Sequence, residues 1–255
     1  MKIAVVTGAS SGLGRAFALQ LARTEQLDEL WVIARRQERL EALRPRCPLP
    51  LRVLPLDLTA PGAADALEAQ LKAAAPEVRV LVCAAGFGRM GDARAVPRQQ
   101  SAAMIALNCT AAVEVTQVCL PWMGRGGRIL EICSTAAFQP FPYLNVYAAT
   151  KAFLYRYSRA LGQELRGRGI TVTAVCPYWI KDTEFIPAAK QGDGGAVRHF
   201  PLATRAGRVA ARALLDSRRG RAVSTPGAVC TVHRYASKCL SDAALMALWE
   251  GLRRL

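Results

Sequence analysis

Short runs of consecutive apolar residues alternate along this chain with stretches in which apolar positions recur every three or four residues. Unbroken apolar runs suit strands buried on both faces, and the longer period suits helices laid over them. The runs predict strands at Lys2–Thr7, Glu29–Ala34, Leu51–Pro55, Val78–Ala84, Arg128–Cys133, Ile170–Cys176 and Arg221–Thr225. The helical period predicts helices at Leu13–Arg23, Gln37–Leu43, Gly62–Ala73, Gln99–Trp122, Asn145–Arg166 and Arg205–Asp216. Such alternation predicts an α/β fold: residues 1–255 form one domain around a doubly wound parallel sheet with helices on both faces.

Two stretches depart from the alternation. Residues 178–204 hold Pro187, the glycines of Gln191-Gly192-Asp193-Gly194-Gly195, and Pro201. An irregular segment after the carboxyl end of a strand is expected to close over a substrate. Residues 229–255 are amphipathic, with Tyr235, Leu240, Leu245, Trp249 and Leu252 among the apolar positions. Packing on their own domain is the expected role; capping the pocket, forming a subunit interface and lying on a membrane surface with Arg253 and Arg254 outward are the open readings.

Composition narrows the class. Of the 255 residues 52% are apolar, enough for a sizeable core. The net charge is +15, but arginines stand singly or in pairs along the whole chain. A dispersed charge of that kind gives no reason to expect nucleic acid as a partner. The eight cysteines form no CxxC pair, the histidines are only His199 and His233, and no metal site is expected. No leader pattern opens the chain and no uninterrupted apolar stretch approaches about 18 residues, so a cytoplasmic protein without a spanning helix is expected.

The first strand runs into Thr7-Gly8-Ala9-Ser10-Ser11-Gly12-Leu13-Gly14 and then a helix. Glycines there allow a sharp turn and bring a diphosphate close to backbone N–H groups at the helix start. Further on, Ser134 follows the strand ending at Cys133, and Tyr147 and Lys151 lie four residues apart on a predicted helix. Residues at that spacing share a helix face, so the ammonium can lie near the phenol. A free tyrosine, with a pKa of about 10, is a poor base at neutral pH, and a nearby cation brings it towards useful values.

In order and spacing these residues resemble the TGxxxGxG loop and Ser–Tyr–Lys set of the short-chain dehydrogenase/reductase family, from Lys2 to about Gly227. The resemblance implies a Rossmann-type fold and a metal-free hydride transfer between a nicotinamide and a substrate carbon, interconverting an alcohol and a ketone. It implies that Tyr147 exchanges the proton, Ser134 holds the same oxygen, and Lys151 tunes Tyr147 and binds the nicotinamide ribose. Asn108 matches the helix asparagine that supports a water link to that lysine. Gly8, Ser10, Ser11, Gly12, Leu13 and Gly14 would cradle the nucleotide, with Asp57 and Leu58 at the adenine. Ala85 and Gly86 would allow close approach, and Pro177, Tyr178, Ile180 and Thr183 would border the nicotinamide end.

An acid at the end of the second strand would favour NAD, but Ala34-Arg35-Arg36 stand there. A guanidinium binds a 2′-phosphate where a carboxylate repels it. NADP(H) is therefore the expected cofactor, with Arg35 the main contact and Arg36 the second. The family's usual Asn-Asn-Ala-Gly is here Cys83-Ala84-Ala85-Gly86, which removes an amide that braces the sheet centre. Its Pro-Gly is Pro177-Tyr178, and the connection Tyr178–Phe185 is one residue longer than usual.

Phe87, Phe138, Phe141, Tyr143, Tyr178, Trp179, Phe185 and Ile186 are expected to wall the substrate pocket. Such a wall suits a bulky apolar alcohol or ketone, and the chain resembles the branch with hydroxysteroid dehydrogenases and 3-oxoacyl reductases. Reduction of a 3-oxoacyl thioester in lipid synthesis is the alternative, in which the basic surface would meet an acidic carrier or coenzyme A. A non-catalytic NADP(H)-sensing or nucleic-acid-binding protein is the remote one, because a sensor has no need of Ser134, Tyr147 and Lys151. The resemblance also implies a homodimer or homotetramer built through the helices of Asn108 and Tyr147.

Overall fold

The computed structural model describes residues 1–191, 197, 200 and 202–253; Gly192–Gly195, Pro201 and Arg254, named above, lie outside the described residues. The strands are β1 (Lys2–Thr7), β2 (Glu29–Ile33), β3 (Leu51–Leu54), β4 (Glu77–Cys83), β5 (Arg128–Ile132), β6 (Thr171–Val175) and β7 (Val223–Ser224). They form one parallel sheet in the order β3-β2-β1-β4-β5-β6-β7. The strand order reverses between β1 and β4, which opens a crevice at the carboxyl edge of the sheet.

The helices are α1 (Gly12–Thr24), α2 (Gln37–Glu41), α3 (Ala63–Ala74), α4 (Arg98–Ile105), α5 (Ala111–Cys119), α6 (Asn145–Glu164), α7 (Phe185–Ala189), α8 (Ala206–Arg218), α9 (Ala228–Cys239) and α10 (Asp242–Leu252). Successive strand residues point to opposite faces, and each face finds its own helices. Ile3, Val5, Leu81 and Ile129 pack with Leu67 and Leu71 of α3, Val115 of α5, and Leu154 and Leu161 of α6. Ala4, Val6, Val82 and Leu130 pack on the other side with Phe17 and Leu21 of α1 and Val209 and Ala213 of α8.

The helix predicted over Gln99–Trp122 contains a π-helical turn at Ala106–Thr110, between α4 and α5. Taken together Arg98–Trp122 is long and apolar enough to cross a membrane by length and composition, which a count of uninterrupted apolar residues does not reveal. Its buried Met104, Asn108, Cys109, Val115 and Cys119 face the protein interior, as in a core helix. Within the irregular 178–204 segment lies the short helix α7, and the amphipathic tail is two helices rather than one. The break falls before Ser241, whose hydroxyl caps α10 by accepting from the Ala244 N–H at 3.3 Å.

The C-terminal helices clasp the loop between β5 and α6. Gln139 donates to the Leu245 carbonyl at 3.3 Å, and its other amide atom lies 2.7 Å from His233 Nε2. The Trp249 indole N–H donates to the Pro142 carbonyl at 2.9 Å, and Phe141 lies edge-on to Trp249.

Leu81 is fully buried in the central strand β4. Leu81→Ala is expected to lower the unfolding free energy by about 3–5 kcal/mol, read from urea denaturation, because packing from both faces limits collapse of the void.

Candidate active site

The crevice begins where β1 turns into α1. Gly8 has a φ of +66°, and a Cβ there would come within 2.8 Å of the Ala84 carbonyl oxygen. A Cβ on Gly14 would come within 2.4 Å of the Gly8 carbonyl oxygen. Only hydrogen fits at either point. Thr7 Oγ1 accepts from the Ala84 and Ala85 N–H groups, both at 3.0 Å. Thr7 thus braces the end of β4 across the sheet, doing work for which an asparagine amide was expected, and the motif's opening threonine was its signal. A backbone cradle of this closeness at the start of a helix fits a nucleotide diphosphate.

The two arginines after β2 part company. Arg35 is largely exposed, with a guanidinium nitrogen 3.8 Å from Asp57. Arg36 instead reaches the glycine loop, donating to Ser10 Oγ at 3.2 Å. Arg36 is therefore the guanidinium placed at the glycine loop, while Arg35 stands beside Asp57. Asp57 Oδ1 accepts from the N–H and the hydroxyl of Thr59 at 3.0 and 2.7 Å, and these bonds hold its carboxyl below the usual range. Leu58 is buried beside it in the core, and Leu13 packs on the opposite face.

At the other end of the crevice stand Ser134, Tyr147 and Lys151. Lys151 is buried, donates to the Ile132 carbonyl at 2.7 Å, and lies 5.8 Å from the centre of the Tyr147 ring. Burial raises the Tyr147 phenol, and the neighbouring Ser134 hydroxyl opposes that shift; Ser134 Oγ itself accepts from the Ala136 N–H at 3.1 Å. The Lys151 ammonium is committed to a strand carbonyl, and burial is the largest influence on the phenol. Burial also pulls the Lys151 ammonium down.

Asn108 lies in the π-helical turn and its amide is fully engaged. It donates to the Phe87 carbonyl at 2.9 Å and to Thr150 Oγ1 at 3.0 Å, and accepts from the Phe87 N–H at 3.0 Å. The residue thus ties the strand-end loop after β4 to α6. A Cβ on Gly86 would meet Asn108 Oδ1 at 2.9 Å and Lys151 Nζ at 3.6 Å. The loop passes directly over the lysine because Gly86 has no side chain.

The predicted pocket residues divide. Phe185 packs on the Tyr147 ring at 5.2 Å, and Phe87, Trp179 and Phe200 join the cluster around Met90 and Tyr147. Tyr178 lies against Trp179. Phe141 joins the same cluster but is wedged between His233 and Trp249, and Phe138 packs on Tyr155 and His233. Tyr143 lies beneath the Arg253 guanidinium, 3.8 Å away. Phe138 and Tyr143 are thereby assigned to the C-terminal clasp, and Phe141 to both.

Ile186 lines a cavity of about 560 Å³ with Pro187, Phe200, Leu202, Ala203 and Lys181, and none of Ser134, Tyr147 or Lys151 borders it. Pro177 accepts from the Thr135 N–H at 3.0 Å, Ile180 bridges Thr204, and Thr183 touches Gly12. Glu184 and Arg39 also border the cavity beside the glycine loop, and Gly88 lies against Phe185 and Tyr147. Nothing in their local pattern marks them, because each is brought there by the fold.

A family model described as short chain dehydrogenase matches residues 2–193. A sulfoacetaldehyde reductase of Chromohalobacter salexigens is 36% identical over 197 residues, covering 75% of this chain and 77% of that protein. Rat 17-beta-hydroxysteroid dehydrogenase type 3 is 33% identical over 187 residues, covering 69% of this chain but only 58% of its own length. A short-chain dehydrogenase from Sphingobium yanoikuyae, solved in complex with NADPH, superposes with a TM-score of 0.79 at 29% identity, covering 97% of this chain and 96% of that one.

Beneath the site lies a buried carboxyl. Glu131 Oε1 accepts from Thr116 Oγ1 at 2.8 Å, and Oε2 has no hydrogen-bond partner. Burial pushes its pKa up from 4.5 to about 7. The folded chain then holds a proton that the unfolded chain releases, so stability is greatest below pH 4.5 as far as this group is concerned and falls as pH rises through 7. Glu131→Gln is expected to remove that slope and to raise stability at pH 8 by on the order of 3 kcal/mol, read from urea midpoints at about pH 5 and pH 8.

Proposed function

The chain belongs to the short-chain dehydrogenase family of NAD(P)-dependent oxidoreductases, and we propose that it interconverts a secondary alcohol and a ketone using NADP(H). The observation that carries this reading is the buried Tyr147 phenol with the buried Lys151 ammonium 5.8 Å from its ring and Ser134 nearby, reached from the glycine cradle through Gly86. When bound, the nicotinamide supplies or accepts the hydride. Tyr147 Oη gives a proton to the carbonyl oxygen in reduction and takes it back in oxidation, and Ser134 Oγ holds that oxygen as charge develops.

Arg36 at Ser10, with no acid at the end of β2, supports NADP(H) over NAD(H). The apolar groups around Tyr147, namely Phe87, Met90, Trp179, Phe185 and Phe200, support a bulky apolar substrate of the hydroxysteroid kind. Ile105 on α4 and Phe153 on α6 are each about half exposed, which supports a homo-oligomer joined through these helices.

Loss of reduced-nicotinamide absorbance tests the reading, with NADPH and NADH offered separately against ketosteroids, 3-oxoacyl thioesters and a small sulfonated aldehyde. NADPH oxidation with a ketosteroid is expected, and Tyr147→Phe should lower it by at least about 100-fold. Turnover of thioesters alone would move the substrate to acyl reduction, and turnover of the sulfonated aldehyde alone would refute the apolar pocket. Light scattering is expected to give a multiple of 27.5 kDa, and Ile105→Asp to shift it towards the single chain.

A further inference from the structure

Thr183, Glu184 and Phe185, three consecutive residues after β6, touch three separate parts of the crevice. Thr183 lies over the glycine loop, where a Cβ on Gly12 would meet it at 3.3 Å. Phe185 packs on the Tyr147 ring at the catalytic end. Between them the Glu184 carboxylate accepts from both Arg36 guanidinium nitrogens at 3.1 Å and pairs with Arg39 through its other oxygen. The second strand ends without an acid, yet the fold delivers a carboxylate to the guanidinium that reaches Ser10.

We propose that Glu184 is a specificity-determining residue that stands in for the 2′-phosphate of NADP(H). It occupies Arg36 and Arg39 in the free chain, yields them to the phosphate, and thereby lets Phe185 move off Tyr147. This rests on the NADP(H) reading above.

The chemistry is an exchange of one anion for a stronger one. A phosphate dianion brings more charge and more acceptor oxygens to the two guanidiniums than a carboxylate does. It cannot share them with Glu184 at this distance without like-charge repulsion. The ion pairs are easily surrendered, because Arg36, Arg39 and Glu184 are each 39–53% exposed at the side chain, and pairs open to water contribute little to stability. A cavity of about 340 Å³ adjoins the cluster, bordered by Arg15, Arg39 and Lys181 as well as by Asp182 and Glu184 itself, which gives the arriving phosphate room and a net positive lining.

The far end of α7 is docked, because Met90 N–H donates to the Ala189 carbonyl at 2.9 Å and Arg89 to that of Ala188. The chain before Thr183 is tied by Lys181 N–H to the Thr204 carbonyl and by Asp182 to the Ala206 N–H, so the release is confined to Thr183–Ile186. NADH carries no 2′-phosphate and cannot make the exchange. Selection between the cofactors therefore includes access to Tyr147 as well as affinity.

The test uses 2′,5′-ADP and ADP as probes, titrated calorimetrically into the wild-type chain, Glu184→Gln and Arg36→Gln. Glu184→Gln keeps the size and hydrogen-bonding shape but removes the charge, and its melting temperature checks that it folds. It is expected to bind 2′,5′-ADP roughly 5- to 20-fold more tightly with ADP unchanged, as befits removal of one competing charge from a solvent-open site. Hydrogen exchange at residues 184–187 should rise in the wild type on adding 2′,5′-ADP and not on adding ADP.

An unchanged or weaker 2′,5′-ADP affinity in Glu184→Gln, while the wild type still prefers 2′,5′-ADP to ADP, overturns the stand-in role alone. Increased protection at 184–187 on adding 2′,5′-ADP overturns the release of Phe185. Equal binding of 2′,5′-ADP and ADP by the wild type and by Arg36→Gln removes the NADP(H) reading itself, and this proposal with it.

Discussion

The site depends on how closely two backbones approach at the centre of the sheet. β1 and β4 end side by side, Gly8 lies against the Ala84 carbonyl, and Gly14 lies against Gly8 itself. Thr7 holds the contact by accepting from two successive N–H groups of the facing chain. Everything at the carboxyl edge takes its position from that join. The glycine loop starts α1 where a diphosphate can reach it, and the chain after β4 runs on through Gly86 to pass over Lys151. A side chain at any of the three glycines would push the two halves of the crevice apart.

Around the join the protein keeps its ionisable groups in a dry interior. Lys151, Tyr147 and Glu131 are all buried, and desolvation is the largest influence on each. Their charges are therefore settled by a few aimed dipoles rather than by solvent. The Ile132 carbonyl receives the ammonium and Thr116 donates to the carboxyl. Asn108 contributes stiffness of another kind: placed in a π-helical turn, it uses all three of its hydrogen bonds to lock the loop at Phe87 to Thr150 of α6.

Local chemistry made much of this readable before any coordinates. The parallel strands were visible because most of their residues are buried and apolar, as in Ile3–Val6, Leu30–Ile33 and Val80–Cys83. The glycine loop was visible because its conformation admits few other residues. What the sequence concealed came from contacts between distant segments. Arg36 rather than Arg35 meets Ser10 because of how the chain turns out of β2, which no spacing encodes. Glu184 lies 148 residues from Arg36 along the chain. Phe138 and Tyr143 look like pocket residues in a strand-end loop, yet α9 and α10 draw them outward. The break at Ser241 leaves no mark in the hydrophobic pattern, because amphipathicity continues across it.

The clasp formed by Gln139, His233 and Trp249 has a consequence for how this protein relates to others of its kind. The loop it grips begins just after Ser134 and ends just before Tyr147, so it frames the place where a carbonyl would sit. Its grip comes from residues beyond 193, outside the stretch that the family model matches. The stretch matched by the family model therefore takes in Ser134, Tyr147 and Lys151, while the last two helices, which hold the loop between them, lie beyond it. Two relatives alike in the first part can differ in what they admit, and grafting a foreign C-terminus onto this chain would re-tailor the chamber without touching a residue that handles the proton.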